Sequence, residues 1–160
     1  KIIGEVASTF RNDARYKGRL VLRTSASRLP PVHMDGSRFR QVLWNLILNA
    51  AQATPDYGTI AISATVDGDD LLVVVEDDGV GIDAIGLSRI FDPFYTTRSG
   101  GTGLGLANVE RVVVGHGGTV RVSSVPGEGT RFALRFPLVG PPPTPATPMD
   151  AAQTPAGETP

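Results

Sequence analysis

At 160 residues, with 41% hydrophobic side chains and no cysteine, the chain has a one-domain length that can fill one core, and it lacks both a disulfide framework and a thiolate metal site. A formal charge of -1 gives no reason to expect nucleic acid or an anionic membrane as partner, and no apolar run approaches the ~20 residues that a membrane helix needs. The missing cysteines fit a reducing, cytoplasmic compartment. The chain starts at Lys1 in mid-pattern, without initiator Met or signal peptide, and reads as a piece of a longer protein whose missing segments could carry a membrane anchor.

In chain order, Ile2, Ile3, Val6 and Phe10 have helical spacing, but residues 1–16 remain ambiguous. Residues 19–24 alternate charged and apolar side chains, as a strand does. Leu29-Pro30-Pro31-Val32 is an extended connector. Asp35 is a plausible N-cap, and residues 37–53 repeat apolar side chains every three or four positions through Phe39, Val42, Leu43, Leu46, Ile47 and Ala50. Pro55 and Gly58 stop that helix. Residues 59–66 and 71–77 read as strands joined by the turn Asp67-Gly68-Asp69-Asp70. A long segment, 83–101, has few regular signals, and a loop of that length inside a domain is usually functional or mobile. Residues 104–116 read as a helix, and 119–124 and 130–137 as a last strand pair around Pro126-Gly127-Glu128-Gly129. Residues 141–160 are Pro, Thr, Ala and Gly with little to fill a core; the folded unit is expected to end near Leu138, followed by a flexible Pro-rich tail or linker over 139–160. Short turns between neighbouring strands imply antiparallel pairs. Helices on one face of a mixed sheet then give an α/β two-layer sandwich.

Three patterns carry chemistry. Asp77 ends an apolar run and precedes Gly79 and Gly81. A carboxylate at the mouth of an apolar pocket can accept from an exocyclic amine such as adenine N6, and the glycines let backbone approach a flat ring. An Asp-Gly turn after a strand has the same appearance. Asn45 and Asn49 share one helix face, and their carbonyl oxygens are hard ligands suited to Mg²⁺; a pair of structural amides would look alike. Gly101-Thr102-Gly103-Leu104-Gly105-Leu106 opens a helix. Its amides and the Thr102 hydroxyl can cradle an anion, and its glycines can equally serve as a hinge. Phe91, Phe94 and Tyr95 can cover a ligand, anchor the loop or dock a partner. Arg98 can reach a terminal phosphate or stay solvated. His33 and His116 have no partner suggested by spacing and read as structural or exposed.

Together these blocks resemble the catalytic, ATP-binding domain of bacterial sensor histidine kinases, in the wider GHKL ATPase superfamily. Residues 41–50 resemble the N box, Asp77-Asp78-Gly79-Val80-Gly81-Ile82 the G1 box, residues 90–97 the F box and 101–106 the G2 box. Gly127-Glu128-Gly129-Thr130 resembles the closing glycine motif, and the run 91–97 is most like the branch related to nitrogen-regulation kinases. The resemblance covers about residues 1–138. It implies the Bergerat fold, with 1–16 as the end of a connection from a dimerisation domain, 17–138 as the ATP-binding domain and an ATP lid from about Asp83 to Gly103.

The resemblance further implies ATP and Mg²⁺ as cofactors. Asp77 would receive the adenine amine, with Gly79, Gly81, Ile82, Phe94 and Thr130 around the nucleotide. Asn49 and Asn45 would hold Mg²⁺, and Gly101, Thr102, Gly103, Leu104, Gly105 and Leu106 would contact the phosphates. Arg98, Asn45 and Asn49 are the expected catalytic residues. The activity implied is γ-phosphoryl transfer to a His on a separate dimerisation domain that this sequence does not contain; His33 and His116 do not match such an acceptor. The implied partners are that dimerisation domain and a response-regulator receiver domain, in a homodimeric full-length protein that touches neither nucleic acid nor, through this segment, a membrane. Two other readings stay open: a GHKL-type ATP hydrolase, and a non-catalytic nucleotide-sensing module. Hydrolases of the superfamily usually place a Glu where this chain has Asn45, and an amide cannot abstract a proton from water.

Overall fold

A computed structural model describes residues 1–18, 20–26, 29–98 and 100–138; the expected tail over 139–160 lies outside the described residues. The helical spacing near the N-terminus becomes α1 (Ile2–Asn12), which turns Val6, Ala7 and Phe10 into the interior. Phe10 stacks on Tyr16 with ring centroids 4.8 Å apart and meets Trp44 edge-on at 6.5 Å, so this helix belongs to the same core as the rest. β1 (Val21–Ala26) follows, then α2 (Gly36–Ala53). Asp35 caps α2 as expected: its carboxylate accepts from the Ser37 and Arg38 amides, satisfying donors that the helix itself cannot.

β2 (Thr59–Asp67) and β3 (Asp70–Asp77) form the expected hairpin, and α3 (Ala84–Leu87), α4 (Gly105–Gly115), β4 (Thr119–Val125) and β5 (Gly129–Pro137) complete the order. α3 is a four-residue turn within the stretch expected to lack regular structure, started by Asp83, whose side chain accepts from the Gly86 amide. It is too short to show a periodicity.

The sheet runs β1-β2-β3-β5-β4. β1 is parallel to β2, because α2 carries the chain back across the sheet between them; the other three pairings are antiparallel. This is the expected mixed, mostly antiparallel sandwich. Alternation along the strands sends Ile60, Ile62, Val73, Val75, Phe132 and Leu134 toward the helices, where they are buried with Val42, Leu43, Leu46 and Ile47 of α2. The other sheet face carries exposed charged residues such as Glu76 and Arg131, paired at 2.7 Å. Among the described residues, no helix is long and apolar enough to cross a membrane.

α4 ends in a glycine cap. Gly117, with φ of 71°, sends its amide to the Val114 carbonyl, and Gly118 sends its amide to Val113. His116 sits at this end and joins it to the start of α2. The Asp35 amide can only donate, so Nε2 of His116, 3.1 Å away, accepts. Nδ1, 2.7 Å from the Val112 carbonyl, therefore carries the ring proton. The imidazole also lies edge-on to Phe136, at 6.5 Å. His116 is thus structural, as its sequence context allowed. His116→Ala should lower the unfolding free energy by about 1–2 kcal/mol through a half-buried amide left unpaired, measured as a lower urea midpoint at an unchanged m-value.

Candidate functional site

β3 delivers Asp77 to the site. The inward alternation of Leu71, Val73 and Val75 ends on this residue, which continues the buried face at the sheet's edge. In the ladder Asp77 lies opposite Thr130 of β5, and Thr130 lies opposite Ser124 of β4. A polar row therefore closes an otherwise apolar face. Burial pushes the Asp77 carboxyl above its ordinary value, with the Asp78 charge adding to the effect; the Gly79 and Thr130 amides and the Arg98 charge oppose it. The Gly79 amide donates to Oδ1 at 2.9 Å.

Gly79 is where the chain passes over the end of α2. The next amide, of Val80, donates to the Ala53 carbonyl at 3.0 Å and so satisfies a helix-end acceptor. A Cβ on Gly79 would lie 2.6 Å from that same carbonyl oxygen and 2.7 Å from Asp77 Oδ1, so only glycine brings both groups together. Beyond it, Gly81 and Ile82 form one wall of a cavity of about 390 Å³, which Asn49, Arg98, Leu106 and Thr130 also line. Asp77 itself borders an adjoining smaller depression that shares Thr130 with this cavity.

The long loop folds back on α2. Phe94 and Gly103 tie its base: the Phe94 amide donates to the Gly103 carbonyl at 3.0 Å, and both residues have positive φ, 67° and 66°. Gly103 must be glycine, since a Cβ there would sit 2.6 Å from Phe94 Cα. Arg89 stacks over the Tyr95 ring at 4.5 Å, holding the following segment. Arg98 then reaches the end of α2. Its Nη1 donates to Asn49 Oδ1 at 2.9 Å and to Gln52 Oε1 at 2.6 Å, and its Nη2 donates to the Asn49 carbonyl at 3.2 Å. Burial lowers the Arg98 pKa from its ordinary value, and the Asp77 charge partly restores it. Three oxygens at the end of α2 thus converge on one cation.

Of the expected site residues, the structure brings Asn49, Gly81, Ile82, Arg98, Leu106 and Thr130 to one cavity, while Asp77 lines the adjoining depression that shares Thr130 and accepts from the Gly79 amide. Others lie elsewhere. Asn45 donates through Nδ2 to the Gly105 carbonyl at 3.2 Å, tying α2 to the start of α4. With Thr102, Leu104 and Gly105 it lines a second cavity of about 870 Å³. Gly101 is exposed and turns its amide back to the Arg98 carbonyl. Phe94 is 74% exposed and is absent from the walls of both cavities. Leu104, the N-cap of α4, makes no side-chain capping bond.

Two residues at the site were not singled out from the sequence, Gln52 and Ser124; Tyr95, one of the aromatics expected to cover a ligand, lines the main cavity. Gln52 falls one turn after Asn49 on the same helix and could have been found by extending the i, i+3 pattern. Ser124 carries no local signal, because its meaning comes from strand register.

Comparison with known proteins gives the family of the chain. The family model for histidine kinase-, DNA gyrase B- and HSP90-like ATPases aligns with residues 34–140. The chain belongs to this family. The sensor histidine kinase ZraS of Escherichia coli O157:H7 is 45% identical over 115 residues, covering 72% of this chain and 25% of that protein. Sporulation kinase A of Bacillus subtilis (strain 168) is 39% identical over 139 residues, covering 86% of this chain and 23% of that protein. The chain therefore spans about a quarter of the length of these curated relatives. Among solved structures, the catalytic domain of histidine kinase ThkA superposes with a TM-score of 0.76 at 31% identity, covering 86% of this chain and 90% of that one. Full-length ShkA in complex with AMPPNP gives 0.75 at 32% identity, covering 88% of this chain and 30% of that one. Family and neighbours agree with the α/β sandwich and with a catalytic, ATP-binding domain of the sensor-kinase type.

The raised Asp77 pKa has a direction for stability. A carboxyl whose folded pKa exceeds its unfolded one contributes stability that is complete below the unfolded pKa and lost as pH rises through the folded pKa. At neutral pH the buried charge is a cost to the fold. Asp77→Asn should therefore leave the thermal midpoint unchanged or raised, while ATP affinity falls about ten- to a hundredfold. Thermal denaturation without nucleotide and calorimetric titration with ATP test the two halves.

Proposed function

We propose that the chain is the ATP-binding catalytic domain of a two-component sensor histidine kinase, and that it passes the γ-phosphoryl group of ATP to a His imidazole on a dimerisation domain of the same protein. The observation that carries this reading is the inward Asp77 at the end of β3, one strand from Thr130 and next to a cavity that Asn49 and Arg98 border. The relatives' names, sensor histidine kinase and sporulation kinase, support the reaction class. By the same likeness, a response-regulator receiver domain receives the phosphoryl group next, and the full-length protein works as a dimer.

In this reading Asp77 accepts from the adenine amine, with Thr130, Gly81 and Ile82 around the ring. The fit of Mg²⁺ rests on the donor set. Among the described residues no cluster of three or more His, Cys, Asp or Glu could hold a metal. The end of α2 instead offers amide oxygens that already gather a cation, since Asn49 Oδ1 and Gln52 Oε1 both accept from Arg98. Asn49 would hold the metal; Asn45, the second expected ligand, lines the other cavity with its amide nitrogen donating to Gly105. Bound Mg²⁺ would neutralise phosphate charge. Arg98 brings a second positive charge to the same place. Thr96 and Thr97 of the loop line the same cavity, and ordering of the loop on ATP would limit access of water. The bond from the γ-phosphorus to the β,γ-bridging oxygen breaks, and a bond to an imidazole nitrogen forms, with ADP as leaving group. Such transfer needs positioning and charge neutralisation more than covalent help from protein. Position 45 favours a kinase over a hydrolase, because its amide is tied to Gly105 and has no basic oxygen to take a proton from water.

Mixing this chain with ATP, Mg²⁺ and a His-bearing dimerisation domain should place acid-labile phosphate on that domain. Free phosphate alone would mean a hydrolase, and neither product would mean a binding module. Asn49→Ala should lower transfer by about a hundredfold or more while ATP binding without Mg²⁺ changes by less than about threefold.

A further inference from the structure

Ser124 has a single proton, and its surroundings decide where that proton goes. Its hydroxyl oxygen has three partners: the Ile82 amide at 2.8 Å, the Gly129 carbonyl at 2.7 Å and the Thr130 hydroxyl at 3.0 Å. The Ile82 amide can only donate, so Ser124 accepts from it. The Gly129 carbonyl can only accept, so the Ser124 proton points there. A hydroxyl offers one proton and two lone pairs. The remaining bond to Thr130 must then run from Thr130 to Ser124, which uses the Thr130 proton as well. Thr130 is 5% exposed, lines the main cavity and is left with lone pairs only.

The ladder places the consequence beside Asp77. Ser124, Thr130 and Asp77 are successive partners across β4, β5 and β3. Asp77 Oδ1 already accepts from the Gly79 amide, and an ionised carboxylate has no proton to give. The sheet end thus presents acceptors only.

We infer that Ser124 is a specificity-determining positioning residue: by holding the Thr130 proton it makes the purine-reading edge of the site accept and never donate, so that a 6-amino purine is admitted and a 6-oxo purine is refused. This rests on the nucleotide reading above, which it deepens. A 6-amino group brings hydrogens to both acceptors. A 6-oxo group turns lone pairs toward the Asp77 carboxylate and the Thr130 oxygen, and a site that leaves polar groups unpaired discriminates strongly. Ser124 also has an architectural part, since the Ile82 amide it receives belongs to the cavity wall. The two parts differ in what they change. A purely architectural residue alters the affinity of every nucleotide alike, whereas proton orientation alters the ratio between two.

The test is calorimetric titration of the chain with ATP and with inosine triphosphate, which differ at the 6-position and at N1. The unaltered chain should prefer ATP. In Ser124→Ala the Thr130 proton is released, and the ATP-to-ITP preference should narrow by about tenfold, mostly through tighter ITP binding. Ser124→Thr keeps a hydroxyl and should restore the preference. Thr130→Val removes the Thr130 lone pairs and should narrow the ratio from the other side, by loss of ATP affinity; it also decides the matter if Ser124→Ala does not fold. Equal changes for both nucleotides in Ser124→Ala, or an unchanged ratio in Thr130→Val, overturn the inference while leaving ATP binding by the unaltered chain in place. Failure of the unaltered chain to bind ATP at all sinks the nucleotide reading itself.

Discussion

A carboxylate held at the end of a buried sheet face is the constraint on which this structure turns. Inward alternation along β3 ends on Asp77, so the residue inherits the low-dielectric side of the sheet without being sealed within it. Burial raises its pKa, and two backbone amides and the Arg98 charge only partly oppose that rise. The protein thus keeps a charge that its fold would discard. Such a group is useful if a ligand brings hydrogens to it and excludes water. Gly79 is part of the same device, because a side chain there would collide with both the acid and the end of α2.

α2 links that acid to the rest of the site. One face of the helix supplies Val42, Leu43, Leu46 and Ile47 to the core, which fixes its rotation and height over the sheet. That fixed rotation turns Asn49 and Gln52 toward Arg98 and Asn45 toward the start of α4. Asn45, Asn49 and Gln52 are therefore placed by one packing interface. Asp35 and His116 hold the far end of α2 against α4, so both termini of the helix are pinned by polar contacts between elements. The loop, by contrast, is attached at a few points: the Phe94–Gly103 bond, the Arg89–Tyr95 stack and the Arg98 bonds to α2. Ile90, with Leu87 and Phe91 beside it, anchors the first part of the loop in the core, whereas the described residues from Phe91 to Leu104 include no buried side chain.

Most of the architecture could be read from local patterns. The Asp35 cap, the apolar stripe of α2 and the turn after Asp67 each depend on residues a few positions apart. The strand ends and helix ends differ from expectation by a residue or two, as fraying ends do. The first helix was ambiguous because its apolar face acquires meaning only by meeting Tyr16 and Trp44. α3 was invisible because four residues carry no period.

The site divides along the same line. The sequence alone marked Asp77, Asn49 and the glycine turns as candidate parts of one site, because their residue types are costly or special where they stand. Tertiary structure decided which of them share a cavity. It set Asn45, Thr102, Leu104 and Gly105 along a different hollow, turned Phe94 outward, and brought in Gln52 and Ser124. The physical reason is register: which side chains face one another across β3, β5 and β4, or across the gap from the loop to α2, depends on pairings between distant segments, and no local pattern encodes those distances.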